Sequence, residues 1–177
     1  LEKVIAEVCA ANMEINSEEG VHRSLDRVLI GDGTDAENAV TSYWSSLREN
    51  GNKAQPPIAM LHLDPARPRD AQNHSIEEMK PDIRLILKNW SKFLQKGPKG
   101  PAVILDLSPR LDSIQRAAVD GILETSFPGS PRTWEWLSQG GGRVDRLSVW
   151  LGAISSNQDR RCIRMGRKRI ISMIEGS

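Results

Sequence analysis

The sequence predicts an α/β domain, three-layered and Rossmann-like, with a mainly parallel sheet and helices on both faces. Two observations carry this expectation. Short apolar runs at 28–30, 58–64, 102–107 and 146–154 alternate with longer segments whose apolar residues recur at helical spacing. The run AVILDL at 102–107 is also continuously apolar, as a strand covered on both faces would be.

Taken in order, Val4, Ile5, Val8 and Cys9 suit a first helix, and Val28 to Ile30 a buried strand. The strand runs through the glycine turn of VLIGDGTDAEN into a helix with Ala36, Ala39, Val40, Tyr43, Trp44 and Leu47 on its apolar face. Thr34 with Glu37 three residues on reads as a capping box, in which hydroxyl and carboxylate satisfy first-turn amides. IAMLHLD is the second strand, followed by a polar, proline-broken loop. Ile83, Ile86, Leu87, Trp90 and Leu94 mark a helix entered near Pro81, with Ser75 and Glu78 as a competing cap upstream. After the strand at 102–107 come a helix stripe of Ile114, Ala118 and Ile122, a Trp134/Trp136 segment, a GGG break, and RLSVWLGAI as the last strand.

One domain over 1–177, either whole or a piece of a longer chain, fits this length. The net charge of +1 gives no global pull toward nucleic acid or membrane, so an electrostatic partner must be recruited locally. No apolar run is long enough to span a bilayer. Cys9 and Cys162 are far apart and form no metal-ligand spacing, which points to a reducing, intracellular setting, cytoplasmic or nuclear.

The runs KPDIRLILKNWSKFLQKGPKGPAVILDLS, QRAAVDGILETS and RVDRLSVWLGAISS resemble the central half of a short-chain dehydrogenase/reductase, over 80–156 and more loosely 26–64. The resemblance implies a catalytic Ser at Ser108 and a Tyr and Lys at the positions of Asp112 and Arg116. A carboxyl group ionised at neutral pH cannot replace the phenol as acid in hydride transfer, so no catalytic residue is expected. The same resemblance implies an NAD(P) site at Gly31 and Gly33, with Asp64 near ribose or adenine. The family's later glycines fall at Asp35 and Glu37, whose carboxylates repel phosphate. The turn is therefore expected to be structural and the chain to use no cofactor, NAD(P) remaining the alternative. Asp106, at the end of its strand, is a site candidate by position alone.

The densest local feature is Arg160, Arg161, Arg164, Arg167, Lys168 and Arg169, six basic residues in ten with no acid among them. Such a cluster serves an acidic protein surface or nucleic-acid phosphates; the alternative is a solvated face whose isoleucines pack inward. These readings add up to a non-catalytic interaction or scaffolding domain, a pseudoenzyme of dehydrogenase-like fold within a larger protein or complex. Its expected partner is a protein or a further copy of the chain. An NAD(P)-dependent oxidoreductase with a displaced site and a nucleic-acid-binding domain using 160–169 are the alternatives.

Overall fold

A computed structural model describes residues 31–49, 51, 53–66, 75–167 and 169–177. The expected first helix, the strand at 28–30, His22, His74 and Lys168 lie outside the described residues. Contacts divide the chain into two units, Leu1–Pro56 and Pro57–Ser177.

In the first unit, α1 spans Ala36–Glu49. It buries Ala36, Val40 and Leu47 of the expected stripe, and the Trp44 indole donates to Pro56 O at 3.0 Å. The cap is one residue later than the sequence suggested. Asp35 Oδ1 accepts the Asn38 amide at 3.0 Å, while Thr34 donates both its amide and its hydroxyl to Asp32 Oδ1, at 2.8 and 2.7 Å. These bonds hold the Asp32 carboxyl below its ordinary pKa, the Thr34 amide contributing most. Aspartate is the stronger N-cap of the two, and here it holds the capping position.

The second unit is built on a six-stranded sheet. Its elements are β1 (Met60–Leu63), α2 (Ile83–Trp90), β2 (Ala102–Leu107), α3 (Ser113–Ser126), β3 (Arg132–Ser138), β4 (Arg146–Leu151), β5 (Arg160–Met165) and β6 (Ile170–Gly176). Asp82 caps α2 and Asp112 caps α3, each through a side-chain oxygen accepting an early helical amide. Ser75 and Glu78 do form a reciprocal capping box, but it opens a single 3-10 turn at Ile76–Glu78 instead of the helix.

The strand order is β1-β2-β4-β3-β5-β6. β1 runs parallel to β2 and β3 parallel to β5, whereas β4 is antiparallel to both its neighbours and β6 antiparallel to β5. The mainly parallel, three-layer Rossmann-like expectation is therefore wrong: the sheet is mixed and only three α-helices occur among the described residues. Two local causes account for it. Gly140, Gly141 and Gly142 all take positive φ, which lets the chain double back so that β4 returns between β2 and β3. The basic segment folds as β5 and a hairpin turn into β6, not as a terminal face.

The crossovers β1–α2–β2 and β2–α3–β3 advance in the same direction along the sheet. Right-handed connections then place both helices on one face. Alternation along the strands agrees. Val103, Leu105 and Leu107 of β2, and Leu147, Val149 and Leu151 of β4, share one core with Ile83, Ile86 and Leu87 of α2 and Val119 and Leu123 of α3. The opposite side chains, Asp106, Ser148, Glu135 and Thr133, are polar and buried. No buried core residue comes from β5 or β6, so the helical layer ends over β3.

Candidate interaction surface

Beyond β3 the sheet continues as a hairpin that the two helices leave uncovered. All seven residues of β6 are exposed, and its apolar side chains are exposed to 52% at Ile170, 55% at Ile171, 52% at Met173 and 72% at Ile174. β6 pairs with β5 alone among the described strands, so its outer edge carries unpaired backbone groups. Ile170, Ile171 and Ile174, which the solvated-face alternative packs inward with Ile163, are exposed, while Ile163 is partly buried.

Parity in β5 sorts the basic residues. Arg160, Cys162 and Arg164 alternate with Arg161, Ile163 and Met165, and the first set is exposed. Arg161 sits opposite Glu135 in the β3–β5 register. Its Nε and NH2 reach Glu135 Oε2 at 2.7 and 2.5 Å, its NH1 lies 3.9 Å from Glu175, and its guanidinium stacks 5.6 Å from the Trp150 ring centroid. Arg161 is thus a structural cation and leaves the partner-binding set. Arg160, Arg164, Arg167 and Arg169 make no ion pair among the described residues.

A second cluster forms on the polar face at the carboxyl end of β2. Asp106 Oδ1 accepts the Ser148 hydroxyl at 2.5 Å, and Asp106 Oδ2 lies 3.0 Å from His62 Nε2 and 3.7 Å from Arg146 NH1. Position alone had marked Asp106; His62, Ser148 and Arg146 are what the fold adds. The order of groups matters chemically. A hydrolytic triad places the imidazole between hydroxyl and carboxylate, so that it takes the hydroxyl proton. Here the carboxylate stands in the middle, with Ser148 on one oxygen and His62 on the other, so the arrangement is not that of a hydrolytic triad.

The dehydrogenase-implied positions have other work. Asp112 accepts the Gln115 amide at 2.8 Å as the α3 cap. Arg116 donates to Leu111 O at 2.6 Å and lies 6.0 Å from the Trp136 ring centroid. Ser108 is buried and accepts the Arg110 amide at 3.2 Å. Gly31 and Gly33 sit in the exposed turn before α1, without positive φ, and a Cβ at either would meet nothing within 4 Å. Asp64 is exposed at the end of β1, in the other unit. No group of three or more metal-ligating side chains occurs among the described residues, and no described helix is long and apolar enough to cross a membrane. Compared with protein-family models, curated proteins and solved structures, the chain matches none.

Proposed function

We propose that the chain is a non-catalytic interaction domain whose β5–β6 hairpin docks an acidic protein segment. One observation carries this reading: a single hairpin joins an open, apolar edge strand to four arginines that have no ion-pair partner among the described residues. Exposed apolar strand edges recruit further backbone, and arginine and methionine are favoured at protein interfaces. Unpaired guanidinium groups select carboxylate-bearing partners and speed their encounter.

Nucleic acid is the second reading, favoured by the same arginines. The apolar residues of β6 argue for protein, because a strand presenting isoleucine and methionine offers no aromatic platform for bases. Capture from the native cell with the wild-type chain and with an Arg160/Arg164/Arg167/Arg169→Gln variant, each with and without nuclease, tests the proposal. The expected result is a nuclease-resistant protein partner that elutes with salt and is lost in the variant. A partner retained equally by the variant overturns the docking surface, and one released by nuclease moves the reading to nucleic acid.

A further inference from the structure

Two glycine-containing turns lie side by side at the carboxyl end of the sheet, because Ser138 pairs with Arg164 in the β3–β5 register. The described residues of the turns, 139–146 and 164–169, include Arg143, Arg146, Arg164, Arg167 and Arg169 against a single acid, Asp145. Between them opens a groove of about 740 Å³ on the face away from the helices, lined by Leu137, Gln139, Asp145, Arg146, Met165 and Arg167 among others. That volume is in the range of small-molecule sites.

The charges in the groove are not mutually cancelled. Asp145 Oδ2 accepts the Gln139 amide at 2.7 Å and its Oδ1 accepts Arg143 Nε at 2.9 Å, so the one carboxylate is already committed. Arg146 is held only loosely, 3.7 Å from an Asp106 oxygen that also faces His62, and Arg167 has no ion pair among the described residues. Arg146 and Arg167 thus line one groove together with Gln139, and Leu137 and Met165 add apolar residues to it.

We infer that this groove binds a phosphate monoester carried on an organic body, the phosphate dianion meeting Arg146 and Arg167 and the body lying against Leu137 and Met165. Guanidinium forks match phosphate oxygens bidentately, and a dianion suits Arg167, which has no ion pair among the described residues, together with Arg146, whose one pairing to Asp106 is long at 3.7 Å. The groove shares Arg167 with the proposed docking surface, but Leu137, Gln139 and Arg146 lie outside the β5–β6 hairpin, so ester binding is read independently of any protein partner.

The experiment is calorimetric titration of the full chain with inorganic phosphate, adenosine monophosphate and O-phosphoserine. Both esters, or one of them, should bind more tightly than inorganic phosphate; which one does so distinguishes a nucleotide from a phosphorylated side chain. Arg167→Gln and Arg146→Gln should each weaken ester binding about tenfold, and Lys96→Gln, an exposed lysine between α2 and β2 that lines neither site, should leave it unchanged. Because Arg146 also touches Asp106, Arg167→Gln carries the test if Arg146→Gln fails to fold. The inference is overturned if neither ester binds at millimolar concentration, if neither outbinds inorganic phosphate, or if Arg167→Gln binds as wild type does.

Discussion

Arg161 and Glu135 face each other across the β3–β5 register, with two guanidinium nitrogens on one carboxylate oxygen at 2.7 and 2.5 Å. Glu135 is buried and the Arg161 side chain nearly so, so neither charge has a cheap alternative in water. Removing one partner leaves the other buried and unpaired. Glu135→Ala and Arg161→Ala should each destabilise by about 3–5 kcal/mol, and the double replacement Glu135→Leu/Arg161→Met should cost less than either single change. Denaturant unfolding of the four proteins checks this. Single variants within about 0.5 kcal/mol of wild type would show that the pair is a solvated surface bridge.

The start of α1 offers a sharper local test. Because Asp35, not Thr34, accepts the Asn38 amide, Asp35→Ala should destabilise by about 1 kcal/mol and Thr34→Ala by less. Thermal melts that reverse this ranking would restore the capping role to the threonine.

Gly152 follows β4 with φ +69°, and a Cβ there would overlap the Pro101 carbonyl oxygen. Its amide donates to Pro131 O at 2.8 Å, so the backbone cannot shift without losing that bond. Gly152→Ala should therefore destabilise by at least about 2 kcal/mol, strain and overlap adding. In contrast, Gly33→Ala, where a Cβ meets nothing and φ is not positive, should change stability little. Chemical denaturation of the two variants side by side separates these outcomes.

Acid should weaken the start of α2. Hydrogen bonds from Arg84 hold the Glu77 and Asp82 carboxyls below their ordinary pKa, and the same partners raise that of Arg84. Depressed carboxylate values mean stability that is present above the ordinary range, near pH 4, and lost as pH falls through the lower folded values. Arg84→Gln should flatten this acid dependence. An unchanged slope of stability against pH in that variant would remove the cluster from the account.

Periodicity made part of this fold legible. The helical stripes of α1 and α2 and the apolar runs of β1, β2 and β4 were readable because burial of one face imposes spacing on the sequence. The stripe of Ile114, Ala118 and Ile122 was the wrong face of α3, which buries Val119 and Leu123 while Ile114 is 77% exposed. Strand direction was not readable, since a parallel and an antiparallel neighbour can bury the same side chains. β3 was missed although Thr133, Glu135 and Leu137 alternate with Trp134 and Trp136, because two tryptophans beside a glycine run read as a turn. β5 and β6 were missed because arginine density masked the alternation of Arg160, Cys162 and Arg164 with Arg161, Ile163 and Met165. Asp106 could be placed at a strand end, but His62 and Ser148 reach it from 44 and 42 residues away in sequence, and only the strand order brings them together.

The claim that matters most is that the β5–β6 hairpin is the docking edge. Amide hydrogen exchange of the chain, alone and with the captured partner, reads it residue by residue. Docking at this edge should slow exchange across 170–176 on binding, with the slowing reduced in the Arg160/Arg164/Arg167/Arg169→Gln variant. Unchanged exchange across 170–176, with protection appearing instead on α2 or α3, would contradict it.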